Sequence, residues 1–261
     1  MSEERKAEIE EYSIKRAIGF GFAQVADVTS IQTFTFLVFT FYFAIADINM
    51  DLITIGFIIW TVWNAFNDPM IGYISDRTHT RWGRRIPYVM ISIIPLSVIM
   101  VFLFTPPIFL NNEIANFTYF MIIIIVWEGI YTMYAVSQTS LFPEVFLDKI
   151  ARTKANNIRQ IFSIIGNVMP FILPTIIIPD LTNKKYLVNF QINGIIAGVI
   201  IVISGILFLK LGARERKEFK DDYKNAPKFF TNLKSCVKNK AFRWFIPAEI
   251  VTWFIFGMLA T

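Results

Sequence analysis

Residues 194–209 read GIIAGVIIVISGILFL, a run with no charged residue and no polar face. Residues 121–127, MIIIIVW, show the same pattern. A helix on the surface of a soluble protein keeps a polar face toward water, whereas a helix surrounded by lipid does not need one. About 20 apolar residues are enough to cross a bilayer as a helix. These runs therefore predict membrane-spanning helices.

Similar runs recur along the whole chain of 261 residues, of which 55% are hydrophobic and only 17% are charged. In soluble proteins about a quarter of the residues are charged. The pattern predicts an all-α polytopic membrane protein with six spans, near 17–46, 51–75, 87–109, 115–143, 153–179 and 187–210. Residues 1–16 are expected to be an N-terminal tail, 211–242 a linker between two helix bundles, and 243–261 the start of an incomplete seventh span.

The basic residues predict the orientation of these spans. All of the 25 Lys and Arg residues except Lys184 and Lys185 fall on one side of the predicted topology. Because cytoplasmic loops carry the excess of basic residues, we expect a multi-pass protein of the cell membrane with a cytoplasmic N-terminus. The net charge of +5 then reflects topology, and a nucleic-acid partner is not expected.

Ionisable residues interrupt several of the predicted spans: Asp27 in the first, Asp68 in the second, Glu128 in the fourth and Arg159 in the fifth. An Asp at the centre of a spanning helix costs about 2.5–3.5 kcal/mol, and such residues usually mark function. From the helical rise, Asp68 and Arg159 lie about 10 Å from the cytoplasmic end of their spans, and Asp27 and Thr132 about 15 Å. These polar groups are therefore expected in one layer.

The second span carries a polar face. Asn64, Asn67 and Asp68 are spaced i, i+3 and i+4, and Pro69 frees the backbone carbonyl of Ala65. Oxygen ligands of this kind suit a small cation or a proton. Glu128 and Thr132 share a face of span four in the same way. The alternative is that these groups only pair with each other between helices.

A charged loop follows the second span. It could hold helix bundles together at the cytoplasmic mouth in one conformation and release them in another, and the alternative is that its arginines only set the topology. The predicted gating residues are Gly72, Asp76, Arg77, Arg81, Gly83, Arg84 and Arg85.

These motifs also carry a resemblance to a known family. The residues from Gly72 to Arg77 and from Arg81 to Arg85 resemble the loop 2–3 signature of the major facilitator superfamily. With Asn67-Asp68-Pro69 before them and Pro87 after them, they are similar to the glycoside–pentoside–hexuronide:cation symporters. Further similarities are Tyr131-Thr132, Pro143, and the stretch from Arg152 through Asn157 to Arg159. The resemblance covers the chain but only the N-terminal six-helix half of such a protein.

The resemblance implies two binding sites. A cation site would lie at Asn64, Asn67, Asp68 and Thr132, and would take H⁺ or Na⁺ without any other metal or cofactor. A solute site would involve Asp27 and Arg159. In two places the chain departs from the family pattern, with Asn64 at a carboxylate position and Ala135 at the position of an acid that contacts the sugar. Glu128, one turn away, is a candidate to replace that acid.

The predicted function is therefore secondary active transport of a sugar-type solute by alternating access, coupled to H⁺ or Na⁺. The expected partners are the solute, the lipid bilayer and a C-terminal six-helix half that the chain lacks. One alternative is a carrier of lipids or lysolipids, and another is a non-transporting half that needs a partner. An enzyme is not expected, because no nucleophile–base pair, Gly-rich phosphate loop or metal cluster is visible in the sequence.

Overall fold

A computed structural model describes residues 12–214 and 238–260. The chain divides into two units, and residues 12–214 belong to the first. Most of the predicted N-terminal tail and residues 215–237 of the predicted linker lie outside the described residues. The second unit contributes one described helix.

The described residues are almost entirely helical, which confirms the all-α prediction, and the isolated bridge between Thr80 and Gly83 is their one β-type pairing. A π-helical turn, Phe41–Ile45, continues the first helix, and short 3₁₀ turns occur at Ile108–Leu110 and Lys184–Tyr186. The helices of the first unit are α1 Ile14–Thr40, α2 Met50–Arg77, α3 Ile86–Phe102, α4 Glu113–Val145, α5 Lys149–Ile177 and α6 Leu187–Leu211, and the second unit has α7 Lys240–Ala260.

Side-chain caps explain where several helices begin. The Asn49 side chain accepts a hydrogen bond from the backbone of Asp51 at the start of α2, and Asn112 does the same at the start of α4. Asp148 accepts from the backbone N–H of Ala151, so α5 begins before the predicted residue 153. Such caps satisfy backbone N–H groups that have no partner in the first helical turn.

The third helix is shorter than the sequence predicted. It ends at Phe102, whereas span three was expected to continue to 109. Pro106 and Pro107 follow, and a proline disfavours the helical conformation of the residue before it. Residues 103–110 are therefore mostly apolar but do not continue helix α3.

Helix α4 packs mainly against α3 and α2, and to a smaller extent against α1. Helix α6 packs between α1 and α3, and α5 packs mainly against α1. An aromatic core fills the centre: Phe34 stacks on Trp127 with ring centroids 3.9 Å apart, and Trp127 stacks on Tyr131 at 5.2 Å. Side chains on α4 are thus the ones that can contact groups from both α1 and α2.

The contact between α3 and α6 depends on glycine. A Cβ atom added to Gly194 would lie 2.6 Å from the carbonyl oxygen of Met100, and one added to Gly198 would lie 2.7 Å from that of Ser97. Small residues four apart allow helices in a membrane to approach this closely. The two helix backbones are therefore in direct contact.

By length and composition, four helical segments among the described residues could cross a membrane: Ile14–Ile45, Glu113–Val145, Lys149–Ile177 and Lys184–Leu211. Helix α2 is long enough but carries the polar face of Asn64, Asn67 and Asp68, which lowers its hydropathy. Helix α3 has only 17 residues. Large apolar side chains remain exposed on these helices, as expected for surfaces that face lipid or further helices.

Candidate functional site

A carboxylate pair lies where α2 packs on α4. The hydroxyl of Thr132 is 3.0 Å from Oδ1 of Asp68 and 3.1 Å from Oε1 of Glu128. The indole N–H of Trp60 donates a hydrogen bond to Oε2 of Glu128 at 2.7 Å. Thr132 and Glu128 are buried, whereas Asp68 is exposed. We call Asp68, Glu128 and Thr132 the acidic cluster.

Two of the four predicted cation ligands belong to this cluster. Asp68 and Thr132 are brought together as the sequence indicated. The side-chain N–H of Asn67 instead donates to the backbone carbonyl of Glu128 at 3.3 Å, which ties α2 to α4. Asn64 forms no side-chain hydrogen bond with the described residues. Glu128, which the sequence suggested for the solute, shares the hydroxyl of Thr132 with Asp68.

A second polar cluster joins α1, α4 and α5. Arg159 donates through Nε to Oε1 of Gln24 at 2.7 Å and through Nη2 to Oε1 of Gln138 at 3.5 Å. The amide nitrogens of the same two glutamines donate to Oδ2 of Asp27, at 3.4 and 3.3 Å. Thr139 lies 3.5 Å from Nη2 of Arg159. We call these residues the amide-bridged cluster.

Asp27 and Arg159 are therefore neighbours that do not form a direct ion pair among the described residues. Each glutamine accepts from the guanidinium and donates to the carboxylate, so two amides lie between the charges. The sequence analysis did not single out Gln24 or Gln138. The spacing of Gln24 and Asp27, i and i+3 on α1, was a usable signal, whereas the position of Gln138 depends on how α4 packs against α1.

Tyr131 lies between the two clusters. Its side chain is close to the carboxylates of Asp27, Glu128 and Asp68, and its ring stacks on Trp127. The clusters are thus separate in their hydrogen bonds but neighbours across one side chain of α4.

The loop between α2 and α3 is tied to the end of α4 by a half-buried carboxylate, Glu144, that sequence reasoning missed. Arg84 pairs with Glu144 at 2.8 Å, and Arg85 pairs with Glu144 at 3.1 Å and with Asp76 at 2.8 Å. Arg84 is only 6% exposed. Three predicted gating residues, Asp76, Arg84 and Arg85, therefore belong to one ion-pair network.

The other predicted gating residues have different surroundings. The guanidinium of Arg77 lies over the ring of Tyr73 at 4.5 Å, and that of Arg81 lies over Trp82 at 4.2 Å. Gly83 has a φ of 112°, a conformation that favours glycine, and forms the turn with Thr80.

Gly72 was expected to allow the close approach of a neighbouring helix. Among the described residues, the nearest neighbour of a Cβ added there would be Cγ1 of Val136 at 4.0 Å, which is ordinary contact. Helices α2 and α4 therefore do not approach each other closely at Gly72, and its role beside another helix stays a prediction.

Apolar helices that enclose clusters of charged and amide side chains are typical of multi-pass membrane transport proteins. A family model described as MFS/sugar transport protein matches residues 19–261. The chain belongs to this family, which confirms the resemblance to the major facilitator superfamily and to its glycoside–pentoside–hexuronide:cation symporters, and it is a multi-pass membrane protein.

Several curated proteins are similar to the chain. An uncharacterized symporter of Synechocystis is 30% identical over 220 residues, which are 83% of this chain and 40% of that protein. The isoprimeverose transporter of Lactiplantibacillus pentosus is 27% identical over 78% of this chain and 42% of its own length. Sodium-dependent lysophosphatidylcholine symporter 1 of Gallus gallus is 24% identical over 76% of this chain and 42% of its own length.

The chain thus spans about two fifths of the length of these relatives. Their names are those of transporters and symporters, in agreement with the prediction that the chain is not an enzyme.

Proposed function

We propose that the full-length protein is a secondary active transporter that moves a sugar-type solute together with a cation by alternating access. It would lie in the cell membrane with its N-terminus in the cytoplasm. The observation that carries the proposal is the presence of two polar clusters, one acidic and one amide-bridged, that share helix α4. The isoprimeverose transporter among the relatives supports a sugar-type solute.

The acidic cluster would bind the coupling cation, H⁺ or Na⁺. Asp68 and the hydroxyl of Thr132 supply hard oxygen atoms at the contact of α2 and α4. Asn64 and Asn67 lie on the same face of α2 and would complete the site from that helix. An ionisable group inside a spanning helix is energetically costly, and such groups usually mark a functional site.

The amide-bridged cluster would bind the solute. Sugar hydroxyl groups both donate and accept hydrogen bonds, and the cluster offers a carboxylate, a guanidinium and amide groups within one space. Because amides separate Asp27 from Arg159, a hydroxyl could replace an amide at either charge without leaving the other charge unpaired. Arg159 would then bind solute while staying in contact with α1 and α4.

The loop network would act as a gate. Asp76, Arg84 and Arg85 with Glu144 would hold one end of the bundle closed in one conformation, with Gly72 and Arg77 on α2 and Arg81 and Gly83 in the loop as the other members of the gate. A C-terminal six-helix half would face this bundle, as alternating access requires two halves that move against each other. Cation and solute would both bind more tightly to the same conformation. Each would then shift the equilibrium toward that conformation, because a ligand acts only through its different affinities for the two states.

The test uses full-length protein in proteoliposomes. For Asp68→Asn we expect loss of cation-driven accumulation of a radiolabelled sugar and retention of sugar exchange at equal concentrations, because exchange needs no net cation movement. Asp51→Asn, at the exposed start of the same helix, is the matched control and should accumulate sugar normally. Undiminished accumulation by Asp68→Asn would remove this residue from the cation site.

A carrier of lysolipids is the second candidate, favoured by the relative named as a sodium-dependent lysophosphatidylcholine symporter. Uptake of labelled sugar in the presence of lysophosphatidylcholine distinguishes the two. Competition at low micromolar lysolipid, together with uptake of the lysolipid itself, would support the second candidate. Sugar uptake that lysolipid leaves unchanged would support the first.

A further inference from the structure

We propose that Glu128 is the second carboxylate of the cation site, so that the coupling cation is held jointly by Asp68 on α2 and Glu128 on α4. The inference rests on the proposed function but adds a ligand to it. It moves Glu128 from the solute site, where the sequence suggested it, to the cation site.

The first argument is the number of hydrogen atoms available. The hydroxyl of Thr132 carries a single hydrogen, yet its oxygen lies 3.0 Å from Asp68 and 3.1 Å from Glu128. It can donate to only one of two ionised carboxylates at a time. If both carboxylates are ionised, one of them receives no hydrogen bond from Thr132. A proton or another cation shared between the two carboxylates would supply the missing interaction.

The second argument is uncompensated charge. Glu128 is 2% exposed, and among the described residues no Lys, Arg or His forms an ion pair with it or with Asp68. The neighbouring ionisable groups are Asp68 from α2, Tyr131 from α4 itself and, across Tyr131, Asp27 from α1. None of these is a base that carries positive charge. A buried carboxylate in such surroundings needs a cation or a proton.

The third argument is the fixed position of Glu128. Trp60 on α2 donates to its Oε2 at 2.7 Å, so that Oε1 is directed to the hydroxyl of Thr132. The side chain is thereby held against α2 even though it belongs to α4. A cation between the two carboxylates would pull α2 and α4 together. The contact between these two helices could then become stronger or weaker during alternating access.

The composition of the site points to a small monovalent cation. Within the described residues, no group of three His, Cys, Asp or Glu side chains assembles into a metal site. Two carboxylates and one hydroxyl supply hard oxygen ligands for a small cation, and the proposed coupling cation is monovalent. Na⁺ and H⁺ share this chemistry, and the experiment distinguishes them.

The test compares Glu128→Gln with Asp68→Asn in the full-length protein. Glutamine keeps the shape of Glu128 and an oxygen that can accept from Trp60, so a purely structural role would survive the change. The matched control is Glu113→Gln, another glutamate of α4, at the first residue of the helix. Two readouts are used, which are cation activation of sugar uptake in proteoliposomes and the cation-dependent shift of the melting temperature in detergent.

Activation is measured with NaCl against choline chloride at fixed pH, and with decreasing pH in sodium-free medium. For Glu128→Gln we expect the half-activating concentration of the effective cation to rise about ten-fold or more, with loss of its thermal shift, as for removal of one member of a buried charge set. The control should keep the wild-type response. Activation by Na⁺ identifies sodium, and activation only by acid identifies the proton.

The possible failures are distinguishable. If Asp68→Asn loses the cation response and Glu128→Gln keeps it, the inference about Glu128 is wrong and the proposed symport remains. If both variants respond like the wild type, or the wild type itself responds to neither cation, the proposed cation site is wrong as well.

Discussion

At the scale of single residues, two glutamines separate a carboxylate from a guanidinium. A direct pair between Asp27 and Arg159 would satisfy both charges and leave little for a solute. Gln24 and Gln138 instead contact both charges at once, with distances from 2.7 to 3.5 Å. The two amides hold Asp27 and Arg159 close to each other. Both charged groups keep the capacity to form hydrogen bonds with a solute.

This arrangement makes a prediction for Gln24. We expect Gln24→Leu to raise the KM for sugar by about ten-fold or more, because hydrogen bonds to charged groups contribute about 1.5–3 kcal/mol each. Cation activation should be unaffected, since Gln24 does not contact the acidic cluster among the described residues. Initial rates of uptake in proteoliposomes measure both quantities.

The matched control is Gln32→Leu, which lies on the same helix α1, two turns further along. It should leave the KM at its wild-type value. Equal effects of the two substitutions would mean that Gln24 acts through the packing of α1 and not through Asp27 and Arg159.

At the scale of elements, α3 and α6 are joined through glycines while α2 and α4 are joined through polar side chains. Gly194 and Gly198 allow the backbones of α3 and α6 to touch, and this glycine contact contains no ionisable side chain. The α2–α4 contact instead contains Trp60, Asn67 and Asp68, whose partners all lie on α4. The first contact supports the bundle, and the second is the one that a bound cation can alter.

The glycine contact predicts a difference between two alanine substitutions. Gly198→Ala should destabilise the full-length protein by about 1–3 kcal/mol, since its Cβ would lie 2.7 Å from the carbonyl oxygen of Ser97. Gly129→Ala is the control, because nothing lies within 4 Å of an added Cβ there. Unfolding in detergent followed by tryptophan fluorescence measures both, and equal stabilities would contradict the observed α3–α6 packing.

At the scale of the whole molecule, α4 connects the proposed functions. It carries Glu128 and Thr132 of the acidic cluster, Gln138 and Thr139 of the amide-bridged cluster, and Glu144 of the loop network. From Glu128 to Glu144 is about 24 Å along the helix axis. A displacement of α4 would therefore change the proposed cation site, solute site and gate together.

The predicted topology can be tested with two exposed lysines. Cys236 is the single cysteine of the chain and lies outside the described residues, so Cys236→Ser provides a cysteine-free background. Lys149→Cys, at the first residue of α5, should react with a membrane-impermeant maleimide only in inside-out vesicles. Lys185→Cys, before α6, should react only in right-side-out vesicles. The reverse pattern would place the N-terminus outside the cytoplasm.

The sequence by itself determined the helical class of the protein, the approximate position of its helices and the identity of its charged residues, because apolar runs and isolated charges are local properties of the chain. It missed the end of α3, where two prolines interrupt an apolar run. It also listed Asp68 and Glu128 under different sites, since residues on separate helices have no local signal of their contact.

Only the tertiary structure decided which polar groups meet. Packing of α2 on α4 brings Glu128 to the hydroxyl that Asp68 also contacts, and packing of α1 on α4 and α5 places Gln24 and Gln138 between Asp27 and Arg159. These contacts join residues far apart in the chain. They exist because a side chain buried in apolar surroundings must find its hydrogen-bond partner on whichever helix lies beside it.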